Sequence, residues 1–228
     1  MEAVILITGA SSGIGAETAR RASAAGYRVA LAARSRDRLE HLVRELGGGK
    51  RAMAIACDVR SDDDQAAMVE AVIGHFGRLD AVFVNAGRGG SPGGFSGADP
   101  ADWKDMLLTN VYGVGLTLQH CIPHLRESKG HLLINGSAAG RFTIPGSMYS
   151  ATKWAVTAIG HGVREELRGS GIRVTLIEPG MVDTPFFDQP PEVALKPGDI
   201  AEAVLYALSQ PPHVDVNEIL VRPAPPLA

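Results

Sequence analysis

Only two cysteines, Cys57 and Cys121, occur in 228 residues, which excludes a disulfide framework. Cys57 ends an apolar run and is expected to pack in the core as a small hydrophobe, while Cys121 falls in a helical stretch. No sign of charge dominates. The 22 Lys and Arg against 25 Asp and Glu leave a net charge of -3, which gives no electrostatic reason to expect nucleic acid or an anionic membrane as partner. The basic run Arg34-Ser35-Arg36-Asp37-Arg38 is interrupted by Asp37, followed by Glu40, and too short for a polybasic tail. No segment reaches membrane-spanning length, and Ala3–Ile7 is too short for a signal-peptide core, so a cytoplasmic location is expected by elimination. A metal centre is not expected either. His120 and His124 have helical ligand spacing, but Pro123 lies between them, no third ligand is apparent, and no His-Glu-x-x-His pattern occurs.

What is present is enough for a sizeable core: 45% hydrophobic residues against 21% charged. Short apolar runs, read as strands, cover 4–8, 28–33, 52–57, 81–84, 131–135, 173–177 and 218–221. Between them, helical periodicity covers 13–25, 36–46, 62–76, 100–125, 148–167 and 199–208. Most strand runs lack polar alternation, as expected for a parallel sheet buried on both faces. Strict alternation of strand and helix predicts an α/β fold: a doubly wound, seven-stranded parallel sheet of the Rossmann type, with helices on both faces. With no linker or repeat, residues 1–228 are expected to form a single domain. The Pro-rich end from Arg222 to Leu227 reads as a tail beyond the last strand.

The first strand runs into Thr8-Gly9-Ala10-Ser11-Ser12-Gly13-Ile14-Gly15, which opens the first helix. Glycine permits a tight turn at Gly9 and lets backbone approach a pyrophosphate, and free amides at the helix start face the anion. The second glycine-rich stretch, 87–97, opens no helix in the right place and is expected to be a flexible loop beside the substrate. At the end of the second strand, an Asp or Glu would select NAD(H) by holding the ribose hydroxyls and repelling a 2′-phosphate. Here Ala33 is followed by Arg34, with Ser11, Ser35 and Arg36 as possible helpers. A guanidinium in place of a carboxylate predicts NADP(H) over NAD(H).

Tyr149 and Lys153 are four apart on one helix face. A free phenol titrates near ~10, so a neighbouring ammonium and an oxidised nicotinamide are expected to lower it. Ser137 follows the fifth strand, at the carboxyl end where ligands bind in such sheets, and its hydroxyl is placed to hold a substrate oxygen while Tyr149 delivers the proton.

Ser137 with Tyr149-Ser150-Ala151-Thr152-Lys153, together with the Gly-x-x-x-Gly-x-Gly spacing, resembles the short-chain dehydrogenase/reductase family over nearly the whole chain. The resemblance implies a catalytic set of Asn110, Ser137, Tyr149 and Lys153, with Asn110-Val111-Tyr112-Gly113 matching the family's Asn-x-x-Gly helix motif. It implies that Asn110 kinks its helix and anchors a water of a proton relay. It also implies cofactor contacts from Gly9, Ser11, Ser12, Gly13, Ile14, Gly15 and Arg34, from Asp58 and Val59 at the adenine, and from Asn85, Ala86 and Gly87. Further cofactor contacts are implied for Tyr149, Lys153, Pro179, Gly180, Val182 and Thr184. Val84 stands where the family has a second Asn before Asn85, which should affect packing more than catalysis.

The expected activity is hydride transfer between NADP(H) and the carbonyl or alcohol of a small or medium substrate. The segments 195–204 and 212–218 resemble those of NADP-dependent 3-hydroxy acid dehydrogenases, which makes a 3-hydroxy acid one named possibility. The alternatives are a non-enzymatic NADP(H)-binding sensor or scaffold, and an isomerase or epimerase working through a transient keto intermediate. Family precedent implies a homodimer or homotetramer through the helices bearing Val111, Gly115, Ala151, Ala155 and Ile159. Phe186 and Phe187 are read as lining an apolar pocket or a subunit contact, Arg141 as a surface or interface salt bridge rather than a carboxylate contact, and Trp103 and Trp154 as packing or interface residues, Trp154 near the site.

Overall fold

Seven apolar runs pair into one all-parallel sheet in the computed structural model, which describes residues 2–90, 92–187, 189 and 192–224. The strands are β1 (Val4–Thr8), β2 (Arg28–Ala33), β3 (Ala52–Ala56), β4 (Ala81–Val84), β5 (His131–Asn135), β6 (Arg173–Pro179) and β7 (Glu218–Val221). The helices are α1 (Gly13–Ala24), α2 (Arg36–Glu45), α3 (Asp62–Phe76), the short α4 (Gly94–Gly97), α5 (Pro100–Leu107), α6 (Gly113–Ser128), α7 (Met148–Glu166) and α8 (Pro197–Ser209). Spatial strand order is β3-β2-β1-β4-β5-β6-β7. The winding therefore reverses between β1 and β4, and their carboxyl ends part to leave the crevice where such sheets bind ligands.

Both sheet faces are dry, which is why the strand sequences do not alternate. On β1, Val4 and Leu6 join Met68, Val72 and Cys121 on one face, and Ile5 and Ile7 join Ala19, Leu39 and Val204 on the other. All four β1 residues are fully buried. Cys57 and Cys121 are free thiols in this core, and burial pushes both up to about 12, where they stay protonated and inert.

The predicted helix over 100–125 is not continuous. A π-helical turn, Leu108–Tyr112, separates α5 from α6, and α6 then runs on to Ser128. The extra residue carries Asn110 inward, where it is 1% exposed. Helical periodicity alone misses such a bulge because the apolar positions on either side keep their spacing.

Other differences are local. Strand β6 continues to Pro179, where Gly180 N still donates to Val221 O at 2.7 Å. Helix α8 begins at Pro197, a residue suited to a first helical turn whose N–H needs no partner. The glycine-rich stretch contains the short α4 rather than loop alone. Arg222, Pro223 and Ala224 lie along the crevice instead of leaving as a tail; Pro225 to Leu227 fall outside the described residues. No described helix is long and apolar enough to cross a membrane.

Candidate active site

The turn after β1 is built for close approach. Gly9 has φ +65° and Gly13 φ +54°, the left-handed region that glycine enters without strain. A Cβ on Gly15 would stand 2.4 Å from Gly9 O, so Gly15 seats α1 against the loop rather than lining the crevice. Thr8 Oγ1 accepts from Asn85 N at 3.0 Å and Ala86 N at 3.1 Å, and Asn85 Nδ2 donates to Thr8 O at 3.0 Å. Asn85 Oδ1 in turn accepts from Asn135 Nδ2 at 2.9 Å. The ends of β1, β4 and β5 are thereby held together beneath one cleft.

That cleft encloses about 1380 Å³. This exceeds the ~300–1,000 Å³ of an ordinary small-ligand pocket and leaves room for a dinucleotide and a second molecule. Gly9, Ser11, Ser12, Gly13 and Ile14 line one end, with Arg34, Asp58 and Val59. Asn85, Ala86 and Gly87 form the middle, Ser137, Tyr149 and Lys153 the far part, with Pro179, Gly180, Val182 and Thr184 closing over it. Of the sequence-derived site residues, only Gly15 and Asn110 are set back from this lining.

Two contributions at the β2 end differ from expectation. Arg36 points away, its Nε paired with Glu40 at 2.8 Å. Arg38 lines the cleft instead, from the first turn of α2. Neither Arg34 nor Arg38 has a described carboxylate within ion-pairing distance, and both are exposed. The other cations in this region are already spent. Arg60 chelates Asp58 at 2.5–3.0 Å, holding that carboxyl below its ordinary range, and also meets Asp105. Arg88 pairs with Asp102 and Asp105.

Residues 3–192 match the family described as short chain dehydrogenase. An uncharacterized oxidoreductase of Staphylococcus epidermidis is 37% identical over 227 residues, covering 97% of each chain. The chain belongs to the short-chain dehydrogenase family. An alcohol dehydrogenase of the archaeon Thermococcus sibiricus, solved with 5-hydroxy-NADP, superposes with a TM-score of 0.90 at 32% identity over 99% of each chain. Serine dehydrogenase from Escherichia coli superposes at 0.87 with 31% identity over 96% of each chain. The protein is thus an NAD(P)-dependent oxidoreductase. The phosphate turn, and two arginines with no described carboxylate in ion-pairing distance, fit a phosphorylated dinucleotide.

Around Ser137, Tyr149 and Lys153, the candidate reacting side chains, burial is the dominant force. Ser147 caps α7 by accepting from Ser150 N at 3.1 Å, placing Tyr149 and Lys153 on its first turns. Burial pushes the Tyr149 phenol up, and the Ser137 hydroxyl beside it works in the opposite direction. Burial also drives the Lys153 ammonium down to about 8. Burial outweighs the neighbouring ammonium, so without the charge of an oxidised nicotinamide beside it the phenol stands above its ordinary value rather than below it. Lys153 Nζ donates to Asn135 O at 2.8 Å and stands over the phenol ring, 5.8 Å from its centroid. Ser137 Oγ accepts from Ala139 N at 3.1 Å, which fixes its rotamer at the start of a 3₁₀ turn, Ala138–Gly140.

Asn110 is a bracket behind the site. Its Oδ1 accepts from Arg88 N at 2.9 Å, and its Nδ2 donates to Arg88 O at 3.0 Å and Thr152 Oγ1 at 3.1 Å. A Cβ on Gly87 would lie 3.4 Å from Asn110 Oδ1 and 3.9 Å from Lys153 Nζ, so both atoms converge on one small space.

The remaining residues sort plainly. Phe186 packs edge-on to Tyr149 at 5.6 Å and on Phe187 at 5.2 Å, and both line the cleft. Arg141 is held by its own chain, by the buried Glu178 at 2.7 Å and by Glu218. Trp154 is 47% exposed on α7, not under the site, and Trp103 packs edge-on to Phe95. His120 pairs with Asp62 at 2.7 Å.

The depressed lysine makes a stability prediction. Between about 8 and its unfolded value near ~10.4, the unfolded chain holds a proton that the folded chain has released, so stability rises with pH across that window. Relative to Lys153→Met, the wild type should gain roughly 3 kcal/mol between pH 7.5 and 10.5. Urea unfolding of both chains at the two pH values measures it; parallel stabilities would show that the ammonium is not desolvated.

Proposed function

We propose that this protein is an NADP(H)-dependent oxidoreductase that interconverts a carbonyl and an alcohol on a small or medium substrate, with Tyr149 as proton donor and acceptor. The observation that carries it is one cleft with two arginines at the β2 end that meet no described carboxylate, and Ser137, Tyr149 and Lys153 together at the β5 end. Gly9, Ser11, Ser12, Gly13 and Ile14 would hold the pyrophosphate, and Arg34 with Arg38 the 2′-phosphate. NADP(H) held there would supply the hydride chemistry.

The chain's own residues manage the proton. A phenol kept neutral by burial is a donor at neutral pH, and Ser137 gives the substrate oxygen a hydroxyl to rest against. As that oxygen gains charge, Tyr149 releases its proton to it, and the adjacent Lys153 ammonium stabilises the phenolate left behind. Lys153, near 8, then returns a proton without a large energetic step, and Asn110 holds the space beside its Nζ open for a water relay. The neutral phenol is the form that donates a proton in the reductive half of the interconversion.

The same reading includes a homodimer or homotetramer, supported by the exposed apolar residues Leu107, Tyr112 and Trp154 on the α5–α7 face, beside exposed Gly115 and Ala151. It also includes a cytoplasmic setting. The test is NADPH absorbance against a panel of aldehydes, ketones, diketones and oxo acids. Carbonyl-dependent oxidation of NADPH is expected, faster than with NADH. A panel with no rate above the substrate-free control would refute the reading, and conversion without net cofactor change would identify an isomerase or epimerase.

A further inference from the structure

Five arginines line the cleft: Arg34, Arg38, Arg60, Arg88 and Arg222. Arg60 and Arg88 are neutralised by Asp58, Asp102 and Asp105. Arg34 and Arg38 serve the β2 end. That leaves Arg222, just past β7, with no described carboxylate in ion-pairing distance and no part in the functions assigned above.

Its position separates it from the 2′-phosphate end of the cleft. β7 lies five strands from β2 in the sheet order, about 24 Å at ~4.8 Å per strand, with the β5 end and Ser137 between them. A dinucleotide running from Arg34 past the Ser137–Tyr149 pair reaches no farther than the Pro179–Gly180 end of β6. Arg222 enters from the β7 side of that turn.

It is also held in place. Gly180 has no side chain, and a Cβ there would meet Pro223 Cδ at 3.0 Å and Arg222 Cγ at 3.4 Å, so the arginine stem lies directly on the Pro179–Gly180 turn. Its guanidinium carbon sits 5.0 Å from the centroid of Phe142. Phe142 N donates to Ala138 O at 2.9 Å, so the ring's backbone is tied to the 3₁₀ turn that follows Ser137. A guanidinium held beside an aromatic ring, with no described carboxylate in ion-pairing distance, keeps N–H groups available for a carboxylate. Ile144, Met181, Phe186 and Val193 add an apolar wall to the cleft, each 40–46% exposed. Arg141, the other arginine near Ser137, is excluded as an anion contact by Glu178 and Glu218.

We infer that Arg222 is the carboxylate anchor of the substrate half of this cleft, so that the preferred substrates are oxo acids or hydroxy acids with an apolar body between the reacting carbon and the carboxylate. This deepens the oxidoreductase reading and rests on it. The apolar wall takes the carbon chain, the Ser137–Tyr149 pair takes the carbonyl or hydroxyl, and the carboxylate meets the fork.

The test separates the two claims. An oxo acid and its methyl ester are assayed with NADPH on wild type, Arg222→Met and Arg222→Lys. Wild type should prefer the acid. Arg222→Met should lower the acid-to-ester ratio of kcat/KM by about 10- to 100-fold, the worth of a charge-assisted pair, with Arg222→Lys between them. An unchanged ratio in Arg222→Met, or a wild-type preference for the ester, overturns the anchor. In parallel, hexanoate and hexanamide are titrated calorimetrically into each protein saturated with NADP+. Tighter binding of hexanoate that Arg222→Met abolishes supports the anchor even if no carbonyl is reduced, in which case the reaction reading falls alone. Equal binding of the two in wild type overturns the anchor while turnover of the ester leaves the reaction reading standing.

Discussion

Tyr149→Phe is expected to lower kcat with every carbonyl substrate by about 100- to 10,000-fold, the range that general acid–base catalysis supplies. Phenylalanine keeps the ring, and with it the edge-on contact to Phe186 at 5.6 Å and the ammonium 5.8 Å above the ring. What it loses is the one hydroxyl beside Ser137. The fold and the cofactor end of the cleft are untouched, so NADPH affinity, read by fluorescence titration, should change far less than turnover. Near-wild-type kcat in Tyr149→Phe would mean that the substrate oxygen takes its proton elsewhere, and the mechanism would fail. A proportionate loss of NADPH affinity would instead make the residue structural.

Removing Arg34 and Arg38 together should have the second largest effect. Arg34→Ala with Arg38→Ala is expected to weaken NADPH binding by about 100-fold or more, since each charge-assisted bond to phosphate contributes roughly 1.5–3 kcal/mol. NADH, with no 2′-phosphate, should lose little, and the double variant should discriminate poorly between the two. Parallel loss of both cofactors would place these arginines on the pyrophosphate or on folding rather than on the 2′-phosphate. Arg36→Ala supplies the internal comparison. Its guanidinium is committed to Glu40, and the variant should leave the NADPH-to-NADH preference in place.

Much of the architecture was legible from the chain because the signals are local. Uninterrupted apolar runs at β1, β2 and β5 report two buried faces, and a glycine turn between a strand and a helix reports where an anion can approach. The order of these elements restricts a parallel sheet to right-handed windings, and the structure has that sheet with all seven strands. Where the reading failed, the deciding forces were between distant segments. The break at Leu108–Tyr112 depends on Asn110 finding Arg88 and Thr152, 22 and 42 residues away. Arg36 and Arg38 differ in role because of which one the first turn of α2 aims into the cleft. Arg222 looked like part of a proline-rich tail because nothing nearby in sequence reveals that Gly180 and Phe142 receive it.

The proton chemistry divides in the same way. Four-residue spacing puts Tyr149 and Lys153 on one helix face, and sequence alone suffices for that. Their acidities are set by the dry space formed when α7 packs over β5 and β6, which raises the phenol and lowers the ammonium together.

Sequence by itself therefore determined the strand–helix alternation, the phosphate turn and the missing acid at Ala33, since hydrophobic periodicity and backbone permissiveness are properties of neighbouring residues. Tertiary structure decided which arginines remain unpaired, which polar atoms face one another, and where apolar side chains wall the cleft. Those outcomes depend on desolvation and charge pairing between strands that meet only once the sheet has formed.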